Sequence, residues 1–149
     1  MLSVPTDDDT AELAGRLRLA VTRLARQLRQ TADGDLTPTQ ASVLATLSAS
    51  GPLALGELAE LERVASPTIT KVIGLLHHKG LVAKLTDPGD RRFVRVSLTP
   101  QGDALLERTR ARKTAWLARQ LHDLTDDERA QLADATAVLE RLTTRRTGR

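Results

Sequence analysis

Two adjacent arginines, Arg91 and Arg92, close the run Asp87-Pro88-Gly89-Asp90-Arg91-Arg92, whose first four residues are types that make tight turns. A guanidinium is a planar, permanently charged fork of donors, suited to phosphate oxygens and to the acceptor edges of bases. Carried on a thin turn, such a pair suits insertion into a narrow, electronegative minor groove. Upstream, Ser66, Pro67, Thr68, Thr70, Lys71 and Gly74 place short or polar residues along one helical pattern. Short side chains let a helix sit deep in a major groove, where Thr methyls and hydroxyls meet thymine methyls and phosphates.

Other chemistries lack their residues. The chain has no Gly-rich phosphate loop, no Ser/His/Asp or Cys/His set, and no carboxylate cluster facing a predicted pocket. An enzyme is therefore not expected, nor is a cofactor. His77 and His78 point about 100° apart on a helix, and there is no Cys to assist them, so a metal site is not expected either. The absence of Cys also closes disulfide and thiol redox chemistry. Trp116 and Phe93 are the only aromatics among 149 residues, too few for a base-stacking platform, so the core must be aliphatic. Neither a signal peptide nor an apolar run of about 20 residues is present, and a cytoplasmic protein without membrane partners is expected.

Net charge is only +3, yet it is unevenly placed. Residues 1–62 hold five basic and nine acidic side chains, net −4. Residues 63–98 hold seven basic (Arg63, Lys71, Lys79, Lys84, Arg91, Arg92, Arg95) against Asp87 and Asp90, net +5, and the rest nets +2. A basic block flanked by other material is the electrostatic footprint of a polyanion-binding element.

The elements that must position these residues follow from caps and periodicity. Asp9-Thr10-Ala11-Glu12 reads as a capping box before a helix of about 20 residues with an apolar stripe at Leu13, Leu17, Val21, Leu24 and Leu28. Asp33-Gly34-Asp35 ends it. Thr37-Pro38-Thr39-Gln40 starts a second helix, stopped by Gly51-Pro52. Leu53-Ala54-Leu55 is a minimal strand or link, and Gly56 to Glu62 a short helix inward at Leu58, Ala59 and Leu61. After a turn at Arg63-Val64-Ala65, Ser66-Pro67 opens a helix inward at Ile69, Val72, Ile73 and Leu76, closed by Lys79-Gly80.

From Leu81 the period changes to two. Residues 81–86 and 93–98 read as strands joined by the Asp87–Arg92 tip, a hairpin directly after a helix-turn-helix, which is a wing. Thr99-Pro100 starts a long helix to about Gln120, and Thr125-Asp126-Asp127-Glu128 caps a last one, before a basic tail at Arg145, Arg146 and Arg149. The fold class expected is mainly α with a small β-hairpin wing (α+β), a winged helix-turn-helix flanked by long N- and C-terminal helices. The winged module spans 36–99; residues 1–35 and 100–149 form a helical region whose wide aliphatic stripes the module cannot cover. Packing against a second copy covers them and matches paired DNA half-sites, the alternative being a monomeric bundle.

In order and spacing, the chain from about Leu13 to Leu142 resembles the MarR family of bacterial transcriptional regulators. The most specific stretch is Asp87 through Gly102, with support from Leu36–Gln40, Glu57-Leu58-Ala59, Ser66–Lys71 and Lys79–Val82. The resemblance implies a homodimer with interlocked terminal helices, binding double-stranded DNA at a pseudo-palindromic operator. It implies that the helix from Ser66 to His78 enters the major groove, that Arg92 reaches into the minor groove, and that Asp90 steadies the wing. Arg91 and Arg95 are then phosphate contacts or strand-face residues. It further implies a repressor released by a small aromatic or lipophilic anion bound between the dimer helices and the DNA-binding lobe. Trp116 reads first as core or dimer packing, the alternative being that it lines such a site as the one large ring of the helical part. Three positions depart from the family: Ala65 where Ser or Thr is common, Arg63 where Gly is frequent, and Lys71 for a usual Arg. Arg63 adds a phosphate contact at the turn. The alternative function is a winged-helix protein-interaction module that does not read DNA sequence; the basic tip argues against it.

Overall fold

The computed structural model describes residues 6–31 and 36–144. In chain order the elements are α1 (Asp7–Thr31), α2 (Pro38–Ser50), β1 (Leu53–Ala54), α3 (Leu55–Glu62), α4 (Ser66–His78), β2 (Val82–Asp87), β3 (Asp90–Leu98), α5 (Pro100–His122) and α6 (Asp126–Thr144). The protein is thus mainly helical with one small antiparallel sheet, order β1-β3-β2. By contacts it divides into two units, 1–113 and 114–149, with the boundary inside α5. The expected stop at Asp33–Asp35 and the arginines of the tail lie outside the described residues.

The helix starts are set by side-chain caps. Thr37 Oγ1 accepts from the Gln40 N–H at 3.2 Å, and Gln40 Oε1 accepts from the Thr37 N–H at 3.1 Å, closing the reciprocal box. Thr125 and Glu128 repeat it at α6, at 3.2 and 3.0 Å. The first helix departs from expectation. Its cap is Thr6, not Asp9: Thr6 Oγ1 accepts from the Asp9 N–H at 3.3 Å while Asp9 takes the Thr6 N–H and hydroxyl, so α1 begins at Asp7. Asp7, Asp8 and Asp9 then fall in the first turn, where the helix dipole favours negative charge.

One aliphatic core holds the winged module together. Val43, Leu44 and Leu47 of α2, Leu58 and Ala59 of α3, and Ile69, Ile73 and Leu76 of α4 meet Val82, Val96 and Leu106. Each fully buried aliphatic side chain contributes roughly 1.5–3 kcal/mol by leaving water. Leu61, expected inward, is 58% exposed, because it lies off the α3 face that carries Leu58 and Ala59.

Two helix ends fix how the chain turns between elements. At α4, the Leu81 N–H reaches the Leu76 carbonyl and the Gly80 N–H the His77 carbonyl, both at 3.0 Å, around Gly80 at φ 74°. At α3, the Val64 N–H bonds the Ala59 carbonyl at 3.1 Å and the Arg63 N–H the Glu60 carbonyl at 3.2 Å. The left-handed residue of this second turn is Arg63, φ 55° and ψ 44°. Among the described residues it alone has positive φ without being glycine.

The two terminal helices are bare. Neither α1 nor α6 buries a residue, and Leu13, Val21 and Leu24 of α1 and Leu132, Val138 and Leu142 of α6 are more than two-fifths exposed. In the second unit, the Arg129 guanidinium donates to the Leu121 and Leu124 carbonyls at 3.1 and 2.7 Å and pairs with Asp126. It satisfies carbonyls that the end of α5 would otherwise leave open. No described helix is long and apolar enough to cross a membrane.

Candidate nucleic-acid interface

The α4 helix divides its residues cleanly. Ile69, Ile73 and Leu76 are buried beneath it, while Ser66, Pro67, Thr68, Thr70 and Lys71 are all exposed. The apolar stripe pins one side to the core, so the outward face is small and polar over its first two turns. Thr70 Oγ1 donates to the Ser66 carbonyl at 2.9 Å, which engages its hydroxyl proton and leaves the oxygen as an acceptor on an exposed residue. The first turn has Ala65 at the cap position and no side-chain cap; the Thr68 and Ile69 N–H groups both close on the Ala65 carbonyl, at 3.0 and 3.1 Å. Pro67 has no N–H to leave open.

Leu75, which sequence reasoning passed over, is 47% exposed on the turn after Lys71. Its signal was available: it stands four residues beyond Lys71 and off the Ile69, Val72, Ile73, Leu76 stripe, hence on the outward face.

The hairpin is more extended than expected. Its strands pair evenly from Val82 opposite Leu98 to Thr86 opposite Val94, then shift so that Asp87 faces Asp90. Only Pro88 and Gly89 remain as the turn, and residues 91–93 are extra on β3, a bulge that broadens the tip. Asp90 Oδ1 accepts from the Arg92 backbone N–H at 3.0 Å and from its Nε at 3.3 Å. The Arg92 side chain is 92% exposed, so this tether orients the guanidinium and leaves its terminal nitrogens to solvent. The Arg91 side chain lies outside the described ones. Arg95 sits lower, between Ala54 of β1 and Leu85 of β2, exposed on the sheet's outer face rather than at the tip.

The base of the hairpin is locked to α5. Thr99 Oγ1 donates to the Gly80 carbonyl at 2.7 Å and accepts from the Gly102 N–H at 3.0 Å, and the Thr99 N–H reaches the Leu81 carbonyl at 3.1 Å. Gly102 is required by this closeness: a Cβ there would lie 2.1 Å from the Leu81 carbonyl oxygen.

Two further features belong to this unit. Glu62, the last residue of α3, accepts from Ser42 Oγ at 2.7 Å and from Thr46 Oγ1 at 2.6 Å. A cavity of about 740 Å³ opens among α1, α2 and α5. Its walls are aliphatic (Leu36, Pro38, Ala41, Ala45, Leu106) and its polar rim is basic, with Arg26, Arg29, Arg110 and Lys113. Arg110 spends part of its charge on Glu107, at 2.9 Å. Among the described residues no cluster of metal-ligating side chains occurs.

Two short helices joined by a tight turn, followed by a β-hairpin with an exposed arginine at its end, define a winged helix-turn-helix protein. Comparison with known proteins agrees. The MarR family model matches residues 36–94. An HTH-type transcriptional regulator of Mycobacterium leprae is 38% identical over 133 residues, 89% of this chain and 93% of that protein. The HTH-type transcriptional repressor MdtR of Bacillus subtilis is 38% identical over 104 residues, 70% of this chain and 67% of that one. A solved structure from Pseudomonas aeruginosa, 37% identical, superposes with a TM-score of 0.82 over 93% of this chain and 98% of its own. The chain belongs to the MarR family. It is a DNA-binding transcriptional regulator and not an enzyme.

Proposed function

We propose that the protein is a cytoplasmic, homodimeric repressor that reads a pseudo-palindromic operator with α4 in the major groove and the wing in the adjacent minor groove. The tethered, solvent-facing Arg92 carries this reading: among the described residues, its guanidinium at the end of the hairpin pairs with the Asp90 carboxylate alone. A six-residue strand reaches roughly 20 Å. That is comparable with half a turn of duplex, roughly 17 Å, which separates the grooves along one side. Ser66, Pro67, Thr68, Thr70 and Lys71 meet bases and phosphates, Arg63 and Arg91 bind phosphate, and Arg95 approaches the backbone from the sheet face.

The bare stripes of α1 and α6 support the dimer, since exposed apolar patches of this kind mark interfaces. Residues 1–35 and 100–149 then serve dimerisation and 36–99 serves DNA binding. Repression fits the similarity to MdtR, which is a repressor by name. The basic, aliphatic-walled cavity fits a small lipophilic anion as the releasing effector. Selection of bound fragments from genomic DNA of the source organism tests the whole reading. It should recover inverted repeats whose half-sites lie about 10 bp apart, centre to centre, or a multiple of that. Recovery of no preferred sequence would favour a winged module used for protein contacts.

A further inference from the structure

The bridge from Glu62 to Ser42 and Thr46 is not explained by the core. Glutamate at a helix C-terminus faces the negative end of the dipole, so the position is unfavourable unless the carboxylate is otherwise engaged. Here both oxygens are, each by a hydroxyl at 2.7 or 2.6 Å, and the two donors stand one turn apart on α2. Charge-assisted bonds of this length are among the stronger ones a side chain makes. They tie the end of an eight-residue helix to a neighbouring one.

The turn just after Glu62 carries two locally unfavourable features. Arg63 takes a backbone conformation that only glycine adopts without strain, and Ala65 leaves α4 without a side-chain cap. Three residues, 63–65, carry the chain from α3 into α4, so their dihedrals set the direction of the outward face of α4. The left-handed turn depends on carbonyls of Ala59 and Glu60, both in the last turn of α3. Fraying of that turn would release both bonds at once.

We propose that Glu62 is a positioning residue for sequence recognition: by clamping the end of α3 to Ser42 and Thr46 it holds the strained turn, and through it α4, in the orientation that reads bases. This rests on the operator-reading function proposed for the winged module. Simple electrostatics points the other way. Removing an acidic charge near a polyanion site strengthens DNA binding by reducing repulsion, whereas loss of the clamp weakens specific binding and leaves phosphate-driven binding intact.

The test uses the full-length protein and two duplexes: one selected by the wild type from a random pool, and an unrelated duplex of equal length. Glu62→Ala should bind the selected duplex about tenfold more weakly while its affinity for the unrelated duplex is unchanged or raised. Glu62→Gln, whose single oxygen accepts from one hydroxyl while its amide N–H donates to the other, should recover part of the loss. The double variant Ser42→Ala/Thr46→Ala keeps the carboxylate and should reproduce the alanine result, which guards against misfolding of Glu62→Ala. A lowered thermal midpoint with an unchanged specific-to-unrelated ratio in both variants would overturn the proposal and leave Glu62 a stabilising residue only. A wild type that selects no duplex would overturn the operator-reading function, and the proposal with it.

Discussion

Asp90 Oδ1 binds Arg92 twice, through the backbone N–H at 3.0 Å and through Nε at 3.3 Å, within a two-residue separation. The first bond shapes the bulged tip, and the second fixes the side chain's departure from it. An exposed pair of this kind adds little to stability. Its consequence is preorganisation: the guanidinium loses less rotamer freedom when it meets its target. Asp90→Ala should therefore leave the thermal midpoint within about 2 °C, given an expected change below about 0.5 kcal/mol for a surface substitution. Operator affinity should fall, by less than on removal of Arg92 itself. Equal or tighter operator binding by Asp90→Ala would contradict the orienting role.

Arg63→Gly separates backbone strain from DNA contact. A left-handed residue bearing a side chain costs roughly 1–2 kcal/mol, partly offset by the roughly 0.5–1 kcal/mol of chain entropy that glycine loses on folding. The variant should be as stable as the wild type or up to about 1.5 kcal/mol more so, by thermal or denaturant unfolding. If Arg63 binds phosphate as proposed, affinity for any duplex should drop, with a shallower salt dependence. Clear destabilisation would mean that the Arg63 side chain holds the fold.

Gly102→Ala should have the opposite character. A methyl there meets the Leu81 carbonyl oxygen at 2.1 Å and Leu98 Cδ1 at 2.8 Å, and the nearer contact is backbone. The loss expected is about 3 kcal/mol, at the upper end for overpacking of a tight site. Since Gly102 seats α5 against the start of β2, the wing should also lose amide protection. Wild-type stability would contradict so close an approach of α5 to Leu81.

Much of this architecture was legible from local signals. The Thr37–Gln40 and Thr125–Glu128 boxes, the Gly80 turn and the alternation of Val94, Val96 and Leu98 depend on residues a few positions apart, so spacing alone reveals them. Thr6 was missed because Asp9 is itself a good cap residue; the threonine three residues before it completes the same box one turn earlier. The Glu62 bridge spans 16 and 20 residues and joins two helices, so no local pattern announces it. The bulge at 91–93 is likewise a matter of strand register, which the run of turn residues does not determine. The outward face of α4 was readable except for Leu75, where apolar chemistry masked position.

The capping boxes make the helix starts acid-sensitive. Bonds from the Thr125 backbone N–H and then its side chain hold the Glu128 carboxyl below its ordinary value of 4.5, and the Thr6 side chain and then its backbone lower Asp9 from 3.8. A lowered carboxylate stabilises the fold above its ordinary value, and that contribution is lost as pH falls through the lowered one. Protection factors at the first turns of α1 and α6, taken relative to the intrinsic exchange rate at each pH, should therefore fall below about pH 4, by the same linkage. Glu128→Gln should flatten the response at α6 only. A pH-independent first turn in the wild type would contradict the box.

The proposed function has the arginine-tipped wing and α4 reading duplex DNA together as parts of a dimer, and its most direct test is the operator affinity of Arg92→Ala, measured beside sedimentation of the same variant. The expected result is a loss of about 1–3 kcal/mol in binding to the selected operator with dimerisation unchanged. Unchanged affinity for that operator would remove the wing from the interface and contradict this mode of binding.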